Sequence, residues 1–190
     1  MSQLLPCGSI LLEIQDRILI MSYEPFFERF RELALRETHS FTITGHDSHL
    51  PADEYALLEA YCNDRNCDCR RVFFNVASKK QQEIVAVVTF GWEDESYYRK
   101  WCGGKDDELT RLIVDEMLGL GLNSASPQSD IAPALLAPIR EVLQDPDYVA
   151  RLKRHYQMFK EKVDPKHFPP SGAARHVGVV KSKSKVRRRH

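Results

Sequence analysis

Two apolar runs in the middle of the chain constrain its fold most. They are Arg71 to Ala77 (Arg-Val-Phe-Phe-Asn-Val-Ala) and Ile84 to Phe90 (Ile-Val-Ala-Val-Val-Thr-Phe), parted by a polar turn around Ser78, Lys79, Lys80, Gln81 and Gln82. β-branched and aromatic residues dominate both runs, as strands favour. A gap that short cannot hold the dozen or more residues of a parallel crossover, so the two runs must form an antiparallel hairpin. The second run is almost continuously apolar and predicts a central strand covered on both faces. Gly91-Trp92 ends it.

Around this hairpin the periodicity predicts helices. Ser22 is placed to cap a helix whose stripe is Phe26, Phe27, Phe30, Leu33 and Leu35. Ser40 to Thr44 alternates and reads as a short strand ended by Gly45, followed by a polar loop, His46-Asp47-Ser48-His49. Pro51, Asp53 and Glu54 carry the signals of a helix start, running through Tyr55, Leu57, Leu58 and Tyr61. Further helices are expected over Glu95 to Trp101 and over Asp106 to Leu118, the latter with Leu109, Leu112, Ile113 and Met117 as its apolar side. Two more follow, one from Asp130, with Pro133 and Pro138 limiting its regularity, and one from Asp145-Pro146 onward. The expected class is therefore α+β: a small antiparallel sheet built around the central hairpin, packed by helices on one side, with a disordered basic C-terminal tail. Residues 1–21 read as an N-terminal extension, with Met21 a candidate alternative start. Residues 22–163 read as one domain, and 164–190 as a Pro-, Lys- and Arg-rich tail.

Between the expected helix and the hairpin lies the strongest chemical signal. Cys62, Cys67 and Cys69 fall within eight residues, in the run Tyr61-Cys-Asn-Asp-Arg-Asn-Cys-Asp-Cys-Arg-Arg71. Three thiols are one ligand short of a closed tetrahedral zinc site, whose bonds are about 2.0–2.3 Å long. The Cys67-Asp68-Cys69 pair needs a curled backbone to share one ion, because an extended segment points alternate side chains to opposite faces. Arg70 and Arg71 are expected to offset thiolate charge, with backbone amides donating to the sulfurs. His155, in Arg151-Leu-Lys-Arg-His-Tyr156, is the expected fourth ligand, and His49, Cys102, His39 and Cys7 are the other candidates. A structural Zn2+ site is the favoured reading over free thiols, a redox or nucleophilic cysteine with His155 as base, or an Fe–S cluster, which usually takes four cysteines.

Other groups have simpler explanations beside a functional one. Asp106, Asp107 and Glu108 suit a helix start on electrostatic grounds. Cys102 before Gly103-Gly104 fits a helix end. The histidine loop fits turn chemistry as well as metal or acid–base chemistry. Trp92, Tyr97, Tyr98 and Trp101 either pack as core or stack on bases.

The neutral total of 27 basic and 27 acidic residues conceals an uneven distribution. From Asp164 onward eight Lys and Arg face one Asp, so that segment is +7 and residues 1–163 are −7. Lys181, Lys183, Lys185, Arg187, Arg188 and Arg189 would attract phosphates without sequence preference, or an acidic protein surface, the body of the chain included. No run approaches the ~20 apolar residues of a membrane span. Five cysteines without an export signal point to a reducing cytoplasm.

The cysteine loop, the Phe-Asn-Val strand, the Thr-Phe-Gly-Trp-Glu run and Leu-Lys-Arg-His-Tyr together resemble, over residues 22–163, a family of uncharacterised bacterial proteins with a C-x4-C-x-C-R-R motif. That resemblance implies no activity, ligand or partner. The function expected from the residues is a non-enzymatic zinc-binding module with a nucleic-acid or protein partner. The alternative is a hydrolase-like metal or thiol enzyme using Cys62, Cys67, Cys69 and His155.

Overall fold

A computed structural model of the chain describes residues 23–44 and 50–170. The N-terminal extension, the Ser22 cap, the His46-Asp47-Ser48-His49 loop and the basic run 181–190 lie outside the described residues. Within them the fold is α+β, with a six-stranded antiparallel sheet and six helices. In chain order these are β1 (Tyr23–Pro25), α1 (Phe26–Arg29), α2 (Arg31–Glu37), β2 (His39–Ile43), β3 (Asp53–Cys62), β4 (Arg71–Ser78) and β5 (Glu83–Gly91). Then come α3 (Glu95–Trp101), α4 (Glu108–Met117), β6 (Gly119–Leu122), α5 (Ala132–Val142) and α6 (Pro146–Val163). No helix among the described residues is long and apolar enough to cross a membrane.

The hairpin forms as β4 and β5, with Phe74 opposite Val88 and a register shift between Val76 and Ala77. The sheet order is β1-β3-β4-β5-β6, and β2 also pairs with β3. β1 and β2 take different stretches of β3: Tyr23 lies opposite Cys62, and His39 opposite Leu57. Every residue of β4 is buried. The strand covered on both faces is thus the first of the hairpin, whereas in β5 Glu83 is exposed and Ile84, Val87 and Phe90 are only partly buried.

The largest correction is β3. The segment expected to be a helix from Pro51 through Tyr61 is a ten-residue strand in the sheet interior. A surface helix buries one stripe, but every residue from Tyr55 to Cys62 is buried, which a strand flanked on both edges achieves. The supposed helix-start acids act across strands instead. Asp53 accepts from the Ser78 hydroxyl and from the amide of Lys80, and Glu54 accepts from Lys79 and from Ser40.

Smaller corrections have local causes. Pro25 disfavours helical backbone at Glu24, so the first helix begins only at Phe26, and Phe30, at φ −133° and ψ 50°, splits it from α2. β6 is a Gly-Leu-Gly-Leu edge strand whose glycines hide it from propensity reasoning. Helix α4 buries Thr110, Val114 and Met117, leaving Leu109 and Leu112 67% and 61% exposed. Its expected apolar side is therefore largely turned outward.

Gly91 shows why a glycine ends β5. A Cβ there would overlap the Met117 carbonyl oxygen and the Tyr98 hydroxyl, whereas at Gly121 it would meet nothing nearer than Thr89 Oγ1 at 4.0 Å. Gly91→Ala is expected to destabilise the fold by about 1–3 kcal/mol or more through overpacking. Gly121→Ala should stay within about 0.5 kcal/mol of the parent. Urea denaturation midpoints of the two variants test this contrast.

Candidate metal centre

Cys62 is the last residue of β3, and the chain then turns through Arg65-Asn66 before β4 begins at Arg71. Asn66 and Arg70 both take left-handed backbone, at φ 62° and 46°. Asparagine tolerates this conformation, but for arginine it costs of order 1–3 kcal/mol and requires support from the surroundings. That support is present. The Arg70 amide donates to the Tyr156 hydroxyl at 3.4 Å, and its carbonyl accepts from the Tyr98 hydroxyl at 3.0 Å. Its guanidinium bonds Asp68 and Glu93 and lies 4.6 Å from the Tyr97 ring centroid.

These two turns bracket the Cys67-Asp68-Cys69 segment and give it the curl that a shared ion needs. The sulfurs of Cys62, Cys67 and Cys69 all lie within 4.8 Å of one another, with Cys62 and Cys69 buried and Cys67 half-buried. Three cysteines this close could hold a metal ion. Without one, thiol donation from Cys62 and Cys69 pulls the pKa of Cys67 well down, helped by the charge of Lys160 and the backbone amide of Cys69. The Cys69 thiol is pushed up in turn by its hydrogen bonds to Cys62 and Cys67 and by burial. Burial is the largest cause that raises Tyr23 and Tyr156, so neutral phenols border the sulfurs.

Helix α6 holds this loop along one face. Tyr156 donates to Asp68 Oδ1 at 2.9 Å, and Lys160 Nζ donates to the carbonyls of Cys62 and Asp64 at 3.3 and 2.8 Å. Just past the helix end, Asp164 Oδ2 accepts from the Asn66 amide at 2.7 Å. Four-residue spacing puts all three on one side of the helix. Lys160 is fully buried, a costly place for a cation unless anionic groups or carbonyls surround it.

His155, the expected fourth ligand, is not in the sulfur group. Its Nδ1 lies 2.8 Å from Glu59 Oε2 and its Nε2 3.0 Å from Glu37 Oε2, and its ring stacks on Phe26 at 4.4 Å. Both of its nitrogens are engaged by carboxylates, and it does not fall within the sulfur group. It is also withdrawn as the base for a cysteine nucleophile. The helix platform is real, but its partner face is one residue on, at Tyr156. Arg70 is likewise corrected as a counter-charge to the thiolates, because Asp68 and Glu93 already occupy it. A fully buried cation at the loop is Lys160, for which the sequence offers no sign beyond its spacing from Tyr156.

Of the other ligand candidates, His39 packs on Tyr148 and Cys102 follows α3, so neither joins the group. Cys7, His49 and the six tail cations lie outside the described residues. Asp107 caps α4 by accepting from the Thr110 amide, which accounts for that acidic trio without further chemistry. No protein-family model, curated protein or solved structure matches the chain.

Asp164 offers a test of the outer support. Its carboxyl is held below the usual range first by the Asn66 amide and then by His167. Its contacts therefore contribute above the ordinary carboxylate pKa of about 4 and fade as pH falls through the lowered value. Asp164→Ala is expected to weaken metal retention by the loop about ten-fold, the lower end of the range for outer-shell partners. Competition with a chelator at neutral pH measures this. An unchanged affinity would mean that α6 does not set the loop.

Proposed function

We propose that this chain is a non-enzymatic zinc-stapled module whose basic C-terminal segment engages nucleic acid. The observation that carries the metal half is the convergence of three sulfurs within 4.8 Å, on a loop bracketed by two left-handed residues. Soft thiolates select Zn2+, Cu+ or Fe–S centres, and three cysteines with a nearby buried cation suit zinc better than a four-cysteine cluster. The ion would tie the end of β3 to the start of β4 under α6. Such sites have apparent binding energies of about 10–16 kcal/mol in small peptides, enough to decide whether a loop folds. The fourth coordination position falls to a donor outside the trio.

An enzymatic role draws less support. The cleft beside the loop is lined by Asp68 and Arg70 but by no cysteine, so a substrate there would not reach a sulfur. The nucleic-acid half rests on the six cations between Lys181 and Arg189. Each one placed near a phosphate releases counterions and adds salt-sensitive affinity.

Elemental analysis of the purified full chain is expected to give about one zinc per chain, and Cys67→Ser or Cys69→Ser to lose it. Chelation should lower the unfolding temperature of the parent and leave that of the Cys67→Ser protein unchanged. Zinc-free parent protein, or zinc retained without Cys67, would overturn the metal reading.

A further inference from the structure

The large apolar side chains exposed among the described residues are Trp101, Leu109, Leu112 and Ile113, all between the end of α3 and the middle of α4. Helix α4 packs inward through Thr110, Val114 and Met117. Leu109, Leu112, Ile113 and Glu116 keep the spacing of a second stripe, roughly 120° around the helix from the buried one. Glu116 accepts from the hydroxyl of Ser124, just past β6, at 2.8 Å. The apolar stripe therefore borders β6.

β6 is the last strand of the sheet, and among the described residues it pairs with β5 alone. Gly121 lies opposite Thr89 and Gly119 opposite Gly91, and the Asn123 amide donates to the Val87 carbonyl at 2.9 Å. Hydrogen-bonded pairs alternate along an antiparallel ladder. Gly119 and Gly121 thus turn their main-chain groups to β5, while the amides and carbonyls of Leu120 and Leu122 point away from it. None of those outward groups has a hydrogen-bond partner among the described residues. Sheet edges are normally guarded by charge, proline or a covering element. The Gly-Leu-Gly-Leu edge has neither charge nor proline, whereas β1, at the other end of the sheet, holds Glu24 and Pro25.

We propose that this edge is an interface between two copies of the chain, joined through β6 and α4. An antiparallel copy with Gly121 opposite its own counterpart sets Leu120 against the second copy's Leu122, and each outward amide meets an outward carbonyl. The two-fold axis of that pairing runs perpendicular to the sheet, so both α4 helices stay on the same side, antiparallel, with their apolar stripes facing. One symmetry operation thus covers both unpartnered surfaces, which is what favours a second copy over a foreign strand. Taking about 150–250 Å2 for a large side chain, the exposed fractions of Trp101, Leu109, Leu112 and Ile113 amount to roughly 300–500 Å2 per copy. With the strand edges added, the pair reaches the ~1,000 Å2 that a specific interface needs. The proposal depends on neither the metal nor the basic segment.

Sedimentation equilibrium of the full chain over a concentration series tests this, with a reductant present so that Cys102, next to Trp101, does not cross-link copies. The parent is expected to show a monomer–dimer equilibrium. Leu112→Glu, at an exposed position, should keep the unfolding temperature of the monomer and raise the dissociation constant about ten-fold or more, because each copy would bury a charge. Leu122→Pro removes an amide that β5 does not use and should weaken the dimer likewise. A parent that stays monomeric throughout would overturn the proposal and leave the edge to a foreign strand or another segment of this chain. A dimer that survives both substitutions would also overturn it, because its interface would lie elsewhere. Weakening by Leu112→Glu alone would overturn the strand pairing, and weakening by Leu122→Pro alone the helix contact. The Leu112→Glu arm alters only an exposed side chain, so it stands even if Leu122→Pro fails to fold.

Discussion

Three sulfurs within 4.8 Å can shed their protons only where positive charge reaches them, and most of the architecture around the loop answers that requirement. Without a metal, hydrogen bonds from Cys62 and Cys69, the amide of Cys69 and the charge of Lys160 all favour the ionised form of Cys67. Burying a lysine is unfavourable by itself. Here its ammonium is met by two loop carbonyls and lies 5.3 Å from the Phe168 ring centroid. Sheet, loop and final helix are thus bound by one electrostatic arrangement.

A second polar group ties the same helix to the sheet on different terms. A neutral imidazole donates from only one nitrogen, yet His155 has a carboxylate at each, and Glu59 also takes the Tyr61 hydroxyl at 2.7 Å. Arg154 also pairs with Glu37. α2, β3 and α6 are joined through this chain of groups, and that position is what removes the imidazole from metal duty.

The hairpin, β2, α3 and the last helix followed from local pattern, because alternation, caps and helical spacing are short-range signals. Asp94 and Asp145 cap α3 and α6. The β3 segment misled because Pro51, Asp53 and Glu54 carry the chemistry of a helix start, while their true partners, Ser78, Lys79, Lys80 and Ser40, are distant in sequence. Only β3's place between β4 on one edge and β1 and β2 on the other, invisible to any local window, reverses that preference. The three cysteines were evident from spacing alone. Their supports were not: Lys160 and Asp164 look like solvent-facing charges at a helix end until the loop folds against them.

Asp164 follows the last residue of α6, and its amide closes the final turn on the Lys160 carbonyl at 2.8 Å. Its carboxylate simultaneously fixes Asn66, at the apex of the cysteine loop, and its carbonyl accepts from the amides of His167 and Phe168. Helix ends ordinarily fray independently of the structure around them. This one cannot unwind without releasing the loop apex and the turn that carries Phe168 to the cleft. The amides of Asn66, Asp164 and Phe168 are therefore expected to exchange as one cooperative opening unit, although nearly a hundred residues separate the first two along the chain.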